Sequence, residues 1–132
     1  MDTHEINARL SYNIYPDGRV MVRLIFEIPT APLGFFIHYG EAEVIRNLLN
    51  TVSRNITDLG YCNLILEECT VKFKLENSEF VRITIKETGA SAVVRADNLT
   101  SLFNEILAAI DVLLEEGNRV TTEKTPRNDV AA

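Results

Sequence analysis

Apolar and polar side chains alternate through the first part of the chain. The even positions of residues 6–14 and 20–28 are apolar, and most of the odd positions are polar. A period of two is typical of β-strands that bury one face. Residues 16–18, Pro-Asp-Gly, separate the two runs and favour a tight turn. We therefore predict a β-hairpin with the following inward pairs: Ile14 with Val20, Tyr12 with Val22, Leu10 with Leu24, Ala8 with Phe26 and Ile6 with Ile28.

The odd positions of this hairpin form its other face, which carries Arg9, Met21, Arg23 and Ile25 among polar residues. A solvated sheet face is the simpler interpretation. Met and Arg are also enriched in protein interfaces. A binding or subunit interface at these four residues is therefore the second hypothesis.

A third strand and a helix are predicted next. Pro29 and Pro32 end the hairpin, and the aromatic run Phe35–Tyr39 favours a strand. From Glu41 to Leu59 the apolar residues recur every three or four positions, which predicts an amphipathic helix closed by Gly60. The apolar stripe of that helix is Ile45, Leu48, Leu49, Val52, Ile56 and Leu59.

The second half of the chain repeats the change from strands to helix. Residues 61–67 predict a strand that continues with a kink into residues 69–75, and Asn77-Ser78-Glu79 predicts a turn. Pairing across that turn joins Leu75 with Val81, Phe73 with Ile83 and Val71 with Ile85. Residues 92–96 predict a buried strand. A second helix then begins with Asp97 and Asn98 as caps and ends at Gly117.

The resulting fold class is α+β, with the order β-β-(β)-α-β-β-β-α. Two amphipathic helices packed on an antiparallel sheet form a two-layer sandwich. We predict one α+β domain over residues 1–117 and a mobile polar tail over residues 118–132, which has no apolar period.

Composition limits the function classes. The chain has 132 residues, 46% of them hydrophobic and 24% charged, with a net charge of −6, and this is an ordinary globular profile. Acidity disfavours binding to nucleic acid polymers, which need clustered cations. Neither a membrane span nor a signal peptide is predicted, so we expect a cytoplasmic location.

The search for catalytic chemistry finds no nucleophile–base, phosphate-loop or metal-ligand motif. Cys62 and Cys69 are expected to be reduced and buried or half-buried. His38 lies among apolar residues, which favours a packed histidine over a general base. We predict that the protein is not an enzyme and uses no cofactor or metal.

One segment suits a small anionic ligand. Arg95, Asp97 and Asn98 lie where a strand meets a helix N-terminus, and such termini attract anions. Arg82 and Lys86 from the neighbouring strand would add positive charge. Helix capping alone also explains Asp97 and Asn98.

The functional predictions follow from these features. The first prediction is a binding protein that blocks or sequesters a basic protein, as immunity and phage anti-defence proteins do. The alternative is a receptor or sponge for a phosphorylated small molecule such as a signalling nucleotide. A secretion-chaperone-like adaptor is a further alternative, because the size, acidity and final helix are similar to those of type III secretion chaperones, although those begin with a helix. Open strand edges favour a homo-oligomer, most simply a dimer. Contacts to a basic partner would include Glu41, Glu43, Asp111, Glu115 and Glu116.

Overall fold

The computed structural model describes residues 2–31 and 33–131, without the side chains of Phe35 and of residues 122–131. Pro32, predicted to help end the hairpin, lies outside the described residues. The elements are β1 (Asn7–Ile14), β2 (Val20–Ile28), β3 (Gly34–Glu41), α1 (Ala42–Leu59), β4 (Tyr61–Ile65), β5 (Thr70–Leu75), β6 (Phe80–Ile85), β7 (Ser91–Arg95) and α2 (Ala96–Ala131). The α+β class is confirmed. Two antiparallel sheets are present in this part of the chain, with the strand orders β1-β2-β3 and β4-β5-β6-β7.

The predicted first hairpin is confirmed in its register. Four of the five expected pairs, from Ala8 with Phe26 to Ile14 with Val20, lie opposite each other in the ladder. Ile6 precedes β1, so its expected pair with Ile28 is not part of the ladder. The expected third strand is also confirmed, since β3 pairs with the far side of β2.

The kinked strand predicted across residues 61–75 is wrong. The chain reverses after β4, where the Leu66 N–H donates to the Cys69 carbonyl at 2.9 Å, and β5 then pairs antiparallel with β4. No glycine or proline marks this turn, but the apolar residues change from even positions (62, 64 and 66) to odd positions (69, 71, 73 and 75) at Glu67-Glu68. This change of phase belongs to a turn between two paired strands, not to a kink within one strand.

The second hairpin is confirmed pair for pair, from Leu75 with Val81 to Val71 with Ile85. β7 then pairs with β6 in the predicted position. Its far edge accepts a hydrogen bond from the N-terminal segment, because the His4 N–H donates to the Val93 carbonyl at 2.8 Å.

Both sheets bury their inner faces against the helices, and aromatic rings connect them. Phe26 of β2 stacks on Phe36 of β3 with ring centroids 4.9 Å apart. The ring of Phe103 in α2 packs edge-to-face with the rings of Phe26 and of Phe73 in β5. The ring centroids are 6.2 Å and 6.3 Å apart. One hydrophobic core therefore contains residues of both sheets and both helices.

Helix α1 ends as predicted, with Gly60 in the left-handed region at φ 80° and its N–H bonded to the Ile56 carbonyl. Two members of its predicted apolar stripe are not core residues. Leu48 is 38% exposed and Leu59 is 61% exposed. In the described part of the chain, neither helix combines the length and apolarity needed to cross a bilayer.

The prediction that the second helix ends at Gly117 is wrong, because α2 continues to Ala131. Gly117 is buried on the core side of the helix, four residues after Leu113. A Cβ at Gly117 would overlap the Gly18 carbonyl oxygen and lie 2.8 Å from the Val20 side chain. The glycine therefore permits close contact between α2 and the β1–β2 turn, and the Thr121 hydroxyl, which donates to the Asp17 carbonyl at 3.1 Å, extends that contact.

We predict that Gly117→Ala destabilises the protein by about 1–3 kcal/mol in urea unfolding. Ala favours a helix over Gly by about 1 kcal/mol, but the added methyl group collides with backbone and overpacks the contact. Glu115→Ala, at an exposed position of the same helix, should change the unfolding free energy by less than about 0.5 kcal/mol. A Gly117→Ala protein more stable than wild type would contradict the close contact.

Candidate functional site

The outward side chains of β2 and β3 form a surface with an apolar centre, and we call Met21, Arg23, Ile25, Ile37 and Tyr39 the β2–β3 face. The ladder sets Arg23 opposite Tyr39 and Ile25 opposite Ile37. Met21, Ile25 and Ile37 are half-buried, whereas Tyr39 is 57% exposed. Three of the four predicted interface residues, Met21, Arg23 and Ile25, therefore belong to this surface, and the structure adds two residues from β3.

Arg9, the fourth predicted interface residue, lies on the same side of the sheet opposite Ile25. Its guanidinium forms an ion pair with Glu27 at 2.5 Å. Arg23, by contrast, forms no ion pair with a described residue. Arg23 is therefore the cation of this surface that is available to an incoming group.

A cleft adjoins the β2–β3 face where β3 passes the end of β4. This β3–β4 cleft has a volume of about 280 Å³. Its lining residues are Arg23, Ile37, His38, Tyr39, Ile65, Leu66, Glu67 and Glu68. Ile65 is 79% exposed, so two large exposed side chains line the cleft, Ile65 from β4 and Tyr39 from β3.

Acidic groups border this surface. Glu67 and Glu68 line the cleft, and Glu41 lies opposite Met21 at the end of β3. None of these three carboxylates forms an ion pair with a described residue. Of the other predicted acidic contacts, Glu43 and Asp111 both bind Arg46, Glu116 binds Arg119, and Glu115 is exposed. The predicted acidic set is therefore divided among several surfaces, and only Glu41 borders the β2–β3 face.

His38 lies opposite Leu24 on the inner side of β3 and is 8% exposed. Its Nδ1 atom is buried without a hydrogen-bond partner among the described residues. Burial lowers the pKa of the imidazole, so the ring is neutral at pH 7. The expected packed position is present, but the ring is not fully hydrogen-bonded.

The two cysteines are free thiols, Cys62 buried and Cys69 half-buried, as expected. Cys62 contacts Asn55 and the Asn63 carbonyl. Burial, together with the nearby carboxylates of Glu87 and Glu68, raises the pKa of the Cys69 thiol. Because the thiolate is the nucleophilic form, Cys69 is a poor nucleophile at neutral pH.

The predicted anion site at the start of α2 has a different arrangement from the one expected. The helix begins at Ala96, so Asp97 and Asn98 lie in its first turn rather than at its cap. The Asp97 carboxylate accepts hydrogen bonds from Arg95 at 3.2 and 3.3 Å and from the Asn98 N–H at 2.8 Å. The Arg95 guanidinium is thus engaged by a carboxylate of its own chain, and this ion pair raises the pKa of Arg95 and lowers that of Asp97.

The two additional cations of that site are not brought to Arg95 together. Arg82 lies diagonally across the β6–β7 ladder, where it pairs with Glu76 at 2.5 Å and donates to Ser91 at 3.2 Å. Lys86 follows the opposite end of β6, six residues from the partner of Arg95 and therefore about 20 Å away. An anion at Arg95 would have to displace Asp97 and would not reach Lys86.

An apolar pocket of about 260 Å³ lies between the two helices and the β5–β6 turn, and the sequence did not indicate it. It opens on the inner side of the second sheet, whereas Arg95 is on the outer side. Its lining residues are Ser53, Ile56, Thr57, Leu75, Ser78, Val81, Ala96, Leu99, Thr100 and Phe103.

Among the side chains that the structure describes, no three from His, Cys, Asp or Glu are close enough to share a metal ion. Comparison of the chain with protein-family models, curated proteins and solved structures finds no match. The assignment of the candidate site therefore depends on the positions, exposure and charges of its own residues. The residues that sequence reasoning missed there are Ile37, Tyr39, Glu67 and Glu68, and strand parity from the aromatic run would have indicated the first two.

We predict that His38 makes the stability of the protein depend on pH below neutrality. Its pKa is lowered on folding, so the unfolded chain takes up the proton first, and stability falls as the pH decreases below the unfolded value of about 6.5. The loss should reach at most about 1.4 kcal/mol per pH unit. Urea unfolding at pH 7.5 and pH 5.5 measures it.

His38→Leu is the matched variant, because leucine fills a similar volume in the core and has no group that titrates. The pH dependence between 7.5 and 5.5 should be smaller in this variant by the His38 contribution, while His4 remains in both proteins. An identical pH dependence in the two proteins would contradict the assignment.

Proposed function

We propose that this protein is a non-catalytic binding protein that blocks or sequesters a basic partner protein, and that it does so through the β2–β3 face and the β3–β4 cleft. The observation that carries the proposal is the position of Tyr39. This large aromatic ring is more than half exposed, between half-buried apolar residues and a cleft that has a second exposed apolar wall at Ile65.

The composition of this surface supports a protein partner. Binding energy in protein interfaces is concentrated in a few aromatic and Arg side chains that become desolvated at the centre. Tyr39 and Arg23 lie opposite each other on adjacent strands, and Met21 and Ile25 surround them with apolar area that is already half-buried. A rigid sheet holds all four, so little conformational entropy is lost on binding.

The charge around this surface supports a basic partner. Glu41, Glu67 and Glu68 border the apolar centre without ion pairs to described residues, and the whole chain carries a net charge of −6. Carboxylates at an interface rim mainly accelerate the encounter with a cationic partner and set its orientation.

The non-catalytic part of the proposal is supported by the state of the candidate catalytic groups. The Nδ1 atom of His38 is enclosed and has no hydrogen-bond partner among the described residues to orient the ring, and the raised pKa of Cys69 keeps that thiol protonated. A general base or nucleophile needs a pKa matched to its task and access to a substrate.

We expect Tyr39→Lys to weaken partner binding at least about 30-fold, the effect of losing an interface residue worth about 2 kcal/mol. Proteins retained by the immobilised wild-type protein would be identified by mass spectrometry. The affinity of the purified partner would then be measured for each variant by calorimetry. Tyr61→Lys is the matched control, because Tyr61 is 58% exposed on the other sheet, and it should bind like wild type.

Partner binding that survives Tyr39→Lys unchanged would contradict the placement of the site. The alternative, a receptor for a phosphorylated small molecule, predicts something else. A nucleotide would then raise the unfolding temperature of wild type, and Arg95→Ala would abolish that shift.

We further expect that replacing both cleft carboxylates, Glu67→Gln with Glu68→Gln, slows association with the partner several-fold at low salt. Surface charge acts over a screening length of about 10 Å at 0.1 M salt and about 3 Å at 1 M. The difference in association rate from wild type should therefore disappear at 1 M salt in stopped-flow or surface plasmon resonance measurements. A salt-independent loss would indicate that these residues act by direct contact instead of by charge.

A further inference from the structure

Strand β1 is a long sheet edge with no neighbour on its far side in the described part of the chain. The other edge strands are shorter or flanked. β4 and β7 have five residues each, β7 accepts the bond from His4, and clefts lined by the β4–β5 and β6–β7 turns adjoin β3. β1 has eight residues without proline, and Arg9 is its one charged residue. Long edges without such protection are templates for pairing with another strand.

The inward side chains of β1 are also less buried than their partners. Ala8, Leu10 and Ile14 are half-buried and Tyr12 is 54% exposed, although the β2 residues opposite them are at most 4% exposed. The core therefore does not close at β1. Apolar area remains open at the side of the domain.

Helix α2 extends this open area beneath the strand. Asn98 and Leu102 lie beside the start of β1, and Gly117 contacts the turn after it, so the helix runs along β1 in the same direction. Residues three and four apart share one side of a helix, and that spacing continues from Leu102 through Glu105 and Ala109 to Val112, so this side is apolar except for the exposed carboxylate of Glu105. Val112 is 63% exposed, so the same side of the molecule carries apolar residues in both layers.

We propose that a second copy of this chain covers this side of the molecule, with the two β1 strands paired antiparallel about a two-fold axis to form a six-stranded sheet. Inward residues of one strand must then face inward residues of the other, which requires an even sum of the paired residue numbers. Centring the axis on Ser11 satisfies this condition for all four inward positions: Ala8 faces Ile14 of the second copy and Leu10 faces Tyr12 of the second copy.

Charge also favours this register. Arg9 faces Asn13 of the second copy, so the cation of each strand meets a neutral amide. Centring the axis on Arg9 instead would place two guanidinium groups directly opposite, which is destabilising. The strand is therefore complementary to itself in one register that buries every inward side chain.

The size of the surface is sufficient for a dimer. Eight strand residues span about 27 Å, and a sheet with a helix beneath it is about 20 Å deep, which gives roughly 540 Å² in projection for each copy. Accessible area exceeds projected area, and specific interfaces begin at about 600 Å² per partner.

The dimer does not depend on the proposed function, because β1 pairing uses the strand edge and the helix side. It leaves the β2–β3 face open on both copies, and it places two partner-binding surfaces on one continuous sheet. Tyr12 and Tyr39 both line a groove with Met21 and Arg23, but only Tyr12 belongs to the β1 edge, so the mass of the protein and its affinity for the partner are measured separately and failure of one proposal leaves the other measurable.

Light scattering at micromolar concentration should give a mass near 30 kDa for wild type, twice the chain mass of 14.9 kDa. Tyr12→Lys should reduce the mass to one chain, because it places a cation against Leu10 of the second copy. Tyr39→Lys and Tyr61→Lys, which introduce the same change at equally exposed tyrosines, should keep the mass of the dimer. A wild-type mass of one chain would overturn the proposal, and so would a dimer lost in Tyr39→Lys but kept in Tyr12→Lys.

A crosslinking experiment tests the register. Directly opposite Cβ atoms lie about 5 Å apart, so Ser11→Cys should give a disulfide-linked dimer on mild oxidation. Asn13→Cys is the matched control on the same side of the same strand, since its copies would lie about 14 Å apart and should not crosslink beyond the wild-type level. Equal crosslinking of the two variants would overturn the register centred on Ser11.

Discussion

The contact of Phe103 with both sheets is the interaction on which the rest of the structure depends. The two sheets share no strand pairing in the described part of the chain, although the His4 N–H, ahead of β1, donates to the Val93 carbonyl of β7. Phe103 meets Phe26 on one side and Phe73 on the other with edge-to-face geometry. Aromatic pairs of this kind contribute about 0.5–1.5 kcal/mol beyond the area that they bury. The helix layer therefore fixes how the sheets sit relative to each other.

The candidate site follows from that division into two sheets. If β3 paired with β4, the backbone of Ile37–Tyr39 would be covered by a strand and the β3–β4 cleft would not exist. Because no strand pairing joins the two sheets in the described part of the chain, β3 passes the end of β4 and leaves a gap. The turn after β4 then places Glu67 and Glu68 beside Tyr39. A surface with an aromatic centre and an acidic border thus results from packing two separate sheets on one pair of helices.

The sequence predicted what depends on local periodicity and missed what depends on contacts distant in the chain. Alternation fixed the pairs from Ala8 with Phe26 to Leu75 with Val81, because a shift of one residue would turn every apolar side chain to solvent. At Glu67-Glu68 the apolar residues change from even to odd positions, but such a change fits a kink as well as a reversal, so periodicity alone does not distinguish one strand from a hairpin. The sequence predicts a helix end at Gly117 because glycine is common there, whereas this glycine allows the close approach of the turn at Gly18, about one hundred residues earlier. The predicted anion site stays a prediction, and what sequence reasoning missed there is local: the Asp97 carboxylate accepts hydrogen bonds from the Arg95 guanidinium two residues earlier.

The way in which the strand edges are covered connects the fold of the chain to its association with a second copy. An exposed strand edge is an aggregation risk unless something covers it, and this chain covers β7 with its own N-terminal segment and flanks β3 with the turns of the second sheet. Among the described residues no such cover lies along β1, where Tyr12 and Val112 are both more than half exposed. β1 is as long as β3, and an open edge of this length, with inward residues that are complementary to themselves, has the features of a surface that is covered by a specific partner. Leu10 and Ile14 are half-buried in the single chain, and the second copy would bury the rest of both side chains.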